Sequence, residues 1–197
     1  MATDMPGFDP ERHVVVDPRN LRGIAHPLRV RLLGLLRELG PSTATRLAEQ
    51  LGQSSGATSY HLRQLAAYGF VAEETGRGTG RERWWRAVHR RSWFDLPPDA
   101  PEEDWLAGEQ YIRAVWQVNA SQVEAALDEL STLDPRWHDA FTMSDTRLQL
   151  HPEEAAELGR RMRELVDEYR KADDGERPAG SRQVVVQYQM FPRGEEA

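Results

Sequence analysis

The stretch ATRLAEQLGQSSGATSYHLRQLAAYGFV, residues 44–71, decides how this chain of 197 residues folds. Leu47 and Leu51 stand one helical turn apart, and Ser42 or Thr43 just ahead can cap the helix that carries them. Gly52 ends that helix after two or three turns, because a glycine past the last turn takes the left-handed stop at little cost. Ser54 or Ser55 caps a second helix, which turns Leu62 and Leu65 inward and ends at Tyr68-Gly69. Its outward positions are read as Ser54, Ser55, Ala57, Thr58, Tyr60, His61 and Gln64. Small hydroxyls thus stand at the helix start and longer groups further along, a slim polar face that fits the major groove of DNA, where base edges carry a distinguishable donor and acceptor pattern. Arg63 suits a phosphate better than a base.

Upstream, Leu28, Leu32, Leu35, Leu36 and Leu39 fall on one helical face, with Pro27 in the first turn and Gly40-Pro41 as the stop. Before it, residues 14–16 read as a short strand and residues 18–25 as a short helix. Downstream the period changes from helical to alternating. Residues 70–75 and 83–88 read as two strands around the tip GRGTGR, residues 76–81, whose glycines permit positive φ. Arg77 and Arg81 in that tip can meet a phosphate ridge or enter the minor groove. Trp84 and Trp85 are consecutive on a strand, so one packs under the hairpin while the other stays exposed or covers a neighbour. Two short helices followed by a Gly-rich hairpin make a helix-turn-helix with a wing.

The remainder reads differently. Residues 92–101 form a linker containing Pro97-Pro98, and residues 102 to about 131 form one helix, roughly 45 Å long at 1.5 Å per residue. Ile112, Trp116, Asn119, Val123, Ala126 and Leu130 recur at 4-3-4-3-4 spacing, a dimerisation seam in which Asn119 would set register. The competing reading packs that stripe against its own domain. Residues 146–150 read as a strand, residues 152–171 as a helix, and residues 184–190 as a strand with Val184, Val186, Tyr188 and Met190 on one face. The expected fold is therefore mainly α with small β. It comprises a leader over residues 1–12, a winged helix-turn-helix domain over 13–91, the linker, and a long helix with a small α/β module over 102–197.

Charge divides the chain in the same place. Residues 1–92 hold fourteen Arg against nine Asp and Glu, a balance of +5, while the rest carries −12 within an overall −7. A basic module can approach phosphate, and an acidic one cannot bind it strongly over its surface. With no cysteine there is no disulfide framework and no thiolate metal site. The six histidines lack ligand spacing, so no metal or cofactor is expected. No nucleophile-elbow, phosphate-loop or zinc-protease motif is present, and Glu153-Glu154 read as partners of a helix dipole, so no enzyme is expected. The absence of a membrane-length apolar run and of a signal peptide makes the cytoplasm the expected location. Trp93, Trp105, Trp116, Trp137 and Phe141 could wall a pocket for an apolar small-molecule effector, although core and interface packing is the favoured account of such aromatics.

IAHPLRVRLLGLL (24–36) together with residues 44–71 resembles the ArsR family of winged-helix repressors. The resemblance is carried by Pro27 and Arg29, by Leu47-Ala48, by Ser59-Tyr60-His61-Leu62 in the recognition helix, and by Gly69-Phe70-Val71 at its exit. It implies a homodimeric regulator on a roughly palindromic operator, often a repressor released by a small ligand or metal. It also brings Ser59 among the candidate DNA contacts, while His61, already among them, has bracing of the helix as its other open role. The cysteines that metal-sensing members often carry are absent, and the second half exceeds the minimal family size. The rival function is a winged-helix module for protein contact, or a regulator controlled by a protein partner.

Overall fold

Short polar side chains set the helix starts of this chain. The computed structural model describes residues 13–77, 82–94, 96–97, 99–169 and 178–194. The leader read at residues 1–12 lies outside them. Asp17 caps α1 (Pro18–Ile24) by accepting the Asn20 N–H at 2.8 Å, and Nδ1 of His26 accepts the Leu28 N–H at 3.1 Å to start α2 (Pro27–Leu39). Thr43 caps α3 (Ala44–Leu51) and Ser54 caps α4 (Ser55–Ala67), each hydroxyl taking one of the amides that a helix start leaves without an internal partner. Gly52 at φ 61° and Gly69 at φ 78° end these two helices in the left-handed region.

Two small sheets flank the helices. Strands β2 (Ser42–Thr43), β4 (Trp84–Ala87) and β3 (Val71–Glu73) form an antiparallel sheet in the order β2-β4-β3, with Val71 opposite Ala87 and Thr43 opposite Trp84. Strand β1 (His13–Val16) runs parallel to β5 (Arg91–Phe94), with Val14 beside Ser92 and Val16 beside Phe94. The linker expected to begin at Ser92 therefore begins later. Ser92, Trp93 and Phe94 find ladder partners about eighty residues upstream, a non-local pairing with no signal in the local pattern.

The core lies where α1–α4 meet the three-stranded sheet. Val16, Leu21, Leu32, Leu47, Leu62 and Leu65 are fully buried, with Leu33, Phe70 and Trp85 beside them. Leu39, expected on the buried face of α2, is exposed because it ends the helix, and Leu33 is buried in addition to the expected set. Truncating a core leucine such as Leu62 to alanine costs about 2–5 kcal/mol. Glycine allows one close contact: a Cβ on Gly23 of α1 would stand 2.2 Å from Cγ of Tyr68. Half-buried Arg37 fastens α2 to the far end of the wing, its Nε donating to the His89 carbonyl at 2.9 Å and its Nη2 to Ser92 Oγ at 2.8 Å. Burial draws the Arg37 guanidinium down to about 10, against an opposing pull from Tyr111, so it stays charged at neutral pH.

Helix α5 (Glu102–Glu129) begins with Glu102, Glu103 and Asp104 at the positive end of its dipole. Its Gly108 lies against Phe94 and Leu96, Ala107 joins the core, and the rings of Phe94 and Tyr111 lie 5.8 Å apart. The chain forms two units, Met1–Glu124 and Ala125–Ala197. The second holds the end of α5, 3-10 turns at Leu130–Thr132 and Pro135–Trp137, and α6 (Pro152–Asp167), where the Glu154 carboxylate reaches back to accept the His151 N–H at 2.8 Å. The strands expected over residues 146–150 and 184–190 are absent among the described residues. Alternation alone does not make a strand; it selects one only when a neighbour completes the ladder. Among the described residues no helix is long and apolar enough to cross a membrane.

Candidate nucleic-acid interface

Helix α4 lies against α2 and α3 through Thr58, Leu62 and Leu65, spaced as one inward face. That spacing corrects the reading of Thr58 as an outward contact. Its side chain is fully buried, one turn before Leu62, with its hydroxyl oxygen buried and without a partner among the described residues. The face turned to solvent carries Ser54, Ser55, Gly56, Tyr60 and Arg63, with Ala57, Ser59 and Gln64 half-buried at its borders. The Ser54 hydroxyl is engaged in capping, accepting from the Ala57 N–H at 3.2 Å, whereas Ser55 stands free at the first position of the helix. Gly56 has open space where a Cβ would be, so α4 offers its slimmest point in its first turn.

His61 occupies the border between this face and the protein. Its ring lies 4.5 Å from that of His26 and 5.3 Å from Tyr60, and its Nδ1 is buried without a protein partner among the described residues. Arg29 completes the group, its Nη2 donating to the Arg22 carbonyl at 3.2 Å, a tie between α2 and α1.

The hairpin between β3 and β4 supplies positive charge beside α4. Gly76 turns the chain at φ 94°, and Arg77 follows it in the open; Arg81 lies outside the described residues. The guanidinium of Arg77 sits 5.7 Å from the centre of the Trp84 ring, and that of Arg46, from α3, sits 4.9 Å from the same ring. An aromatic face attracts such cations and holds them in position without neutralising them. Trp85 is buried beneath the sheet, so the two tryptophans divide as their alternation requires. Arg83 and Arg86 pair instead with Glu73 and Glu74 at 3.1 and 3.0 Å, which steadies the hairpin. Between α3, α4 and β4 lies a polar notch of about 340 Å³ lined by Thr43, Thr45, Ser59, Arg63, Glu82 and Arg83. Arg46 was missed in the sequence because its link to Trp84 is tertiary, with nearly forty residues between them.

Of the aromatics read as pocket walls, Trp105 borders a groove. A groove of about 460 Å³ runs along the start of α5 between Phe94, Trp105, Leu106, Gly108 and Ile112, bordered by Glu102, Glu109 and Arg113. Trp105 lines it, and Trp116 lies one turn beyond Ile112 on the same helix, exposed. Trp137 and Phe141 belong to the second unit, and the side chain of Trp93 lies outside what the structure describes. On the seam, Ile112 and Trp116 are more than half exposed, Ala126 is exposed, and Asn119, Val123 and Leu130 are half-buried. Among the described residues no group of His, Asp and Glu could hold a metal ion.

Comparison with known proteins agrees with the local fold. A family model described as a helix-turn-helix domain matches residues 24–74. Two solved structures align with part of the chain at low similarity. One is a ZitR double mutant from Lactococcus lactis in its apo form, at 18% identity over 77% of this chain and 86% of that one, with a TM-score of 0.29. The other is the transcriptional regulator Tm0710 from Thermotoga maritima, at 17% identity over 65% of this chain and 88% of that one, with a TM-score of 0.31. No curated protein matches the chain.

Proposed function

We propose that this chain is a sequence-specific DNA-binding transcriptional regulator that works as a homodimer and represses by occupying a roughly palindromic operator. The observation that carries the reading is the pairing of a bare α4 start, Ser55-Gly56, with a cationic platform of Arg46 and Arg77 held on Trp84. Ser55, Ser59 and Tyr60 read base edges, and Arg63, Arg46, Arg77 and Arg81 fix the register on phosphate. The acidic second half keeps its surface off the duplex, so the basic face alone meets it. Two-fold symmetry comes from α5, whose seam of Ile112, Trp116, Asn119, Val123, Ala126 and Leu130 joins a second copy.

Titration of the full chain against DNA from upstream of its own gene, at several salt concentrations, tests the proposal. Specific binding should weaken linearly on a log-log plot against salt as counterions are released. Equal affinity for unrelated sequences, or no binding at low salt, would overturn it in favour of a protein-contact module.

A further inference from the structure

The groove of about 460 Å³ along the start of α5 is lined wholly by residues of the unit Met1–Glu124. Trp105, Leu106 and Ile112 are exposed, and the groove sets them beside Phe94 on one surface. Gly108 makes room for that wall, since a Cβ there would stand 2.6 Å from Phe94 Cζ. A volume of this size suits a small organic molecule, and sites for one combine apolar walls with a few placed polar groups. The polar groups here are charged. Glu109 is satisfied, because Arg113 donates to its Oε1 from Nε at 2.9 Å and from Nη2 at 2.6 Å. The Glu102 carboxylate has no partner among the described residues, so the groove carries one uncompensated negative charge. Glu102, Glu103 and Asp104 together outweigh the roughly half charge of the helix dipole, and Arg22 answers Glu103 alone.

We propose that this groove binds an organic cation with an apolar aromatic body, its charge held by Glu102 and by the rings of Phe94 and Trp105. Aromatic rings attract cations through the negative potential of their faces, and a carboxylate at the rim adds to that pull. An anion of the same shape meets the same walls but is repelled. A second copy facing the groove across a two-fold axis would bring the same excess negative charge, so the groove suits a cation better than its own likeness. The inference goes beyond the DNA-binding reading and does not depend on it. It shares Ile112 with the α5 seam, whereas Phe94, Glu102, Trp105 and Leu106 are not seam residues.

Tetraphenylphosphonium and tetraphenylborate share a shape and differ in the sign of their charge, so the pair separates charge recognition from apolar partition. Equilibrium dialysis of each against the full chain should show saturable binding of the cation, about tenfold or more tighter than any of the anion. Glu102→Gln should weaken the cation about threefold, and Trp105→Ala should weaken it further. Glu124→Gln removes the same charge ~33 Å along the helix, about three screening lengths away at 0.1 M salt, and should change nothing. Glu102 and Trp105 are exposed, so both variants should keep the helix content of the parent by circular dichroism. Equal affinity for the two ions, or equal losses in Glu102→Gln and Glu124→Gln, would overturn the proposal. Absence of saturable cation binding overturns it as well, and if Trp105→Ala then disperses a sedimenting dimer, the groove belongs to a second copy. None of these outcomes bears on the operator titration above.

Discussion

His26 and His61 lie ring against ring, 4.5 Å between centroids, joining the start of α2 to the middle of α4. Burial holds both imidazoles below their ordinary value, and Arg29 lowers both further, with His26 also acting on His61. Arg29 is itself lowered by burial, against opposing pulls from Tyr60 and Tyr68. His26 can cap α2 only while its Nδ1 is unprotonated, because a protonated ring nitrogen cannot accept the Leu28 N–H.

A lowered histidine pKa means that the unfolded chain binds the proton more readily than the folded one. Stability is then fully present above about 6.5 and falls as pH drops below it toward the folded values. Denaturant unfolding between pH 8 and pH 5 should show this loss, and His61→Gln should flatten it. An unchanged pH profile in His61→Gln would show that the pair does not act as described.

Neighbouring serines should separate into structural and reading roles. Ser54→Ala should cost about 1 kcal/mol of stability by removing the α4 cap, measured by urea unfolding. Ser55→Ala should leave stability unchanged and shift sequence preference by about 1–3 kcal/mol in binding assays on operator variants. Equal effects of the two on unfolding would refute the division.

Gly56→Ala has room in the free protein and should leave the fold as stable or raise it by up to about 1 kcal/mol. DNA affinity should fall at the same time, since the added methyl stands where the duplex approaches. Affinity that holds or improves would move the contact away from the first turn of α4.

Arg46→Ala and Arg77→Ala should each weaken binding to every sequence and reduce the salt slope by about one unit, as expected for a lost phosphate contact. Trp84→Leu should reproduce part of both effects by removing the ring that holds the two cations. An unaltered slope in Arg77→Ala would leave the wing without a phosphate role.

Ile112→Asp should give monomers in sedimentation and poor operator affinity, while the helix content of the N-terminal unit is retained. The exposed position of Ile112 on α5 makes its replacement harmless to the isolated fold. A dimer of unchanged affinity would refute the seam.

The helices of the first unit were legible because their starts, stops and leucine spacing all agree, and Thr43, Ser54, Gly52 and Gly69 perform their expected parts. Thr58 was misread because a hydroxyl suggests solvent, while its place one turn before Leu62 puts it inside. The pairing of Ser92 with Val14 and the meeting of Arg46 with Trp84 left no local trace, being products of chain folding rather than of pattern. Residues 184–190 show the reverse failure: the pattern is strong, but no strand forms there among the described residues.

The parallel pairing of β1 with β5, and the seat of Gly108 against Phe94, where an added Cβ would stand 2.6 Å from the ring, fasten the root of α5 to the reading head. In a dimer built on that helix, angular phase along the duplex becomes a property of the protein rather than of a flexible tether. One base pair inserted between the half-sites turns one of them by about 35° about the DNA axis. The two heads could not both follow that rotation, whereas inserting a full turn would restore the azimuth but not the reach.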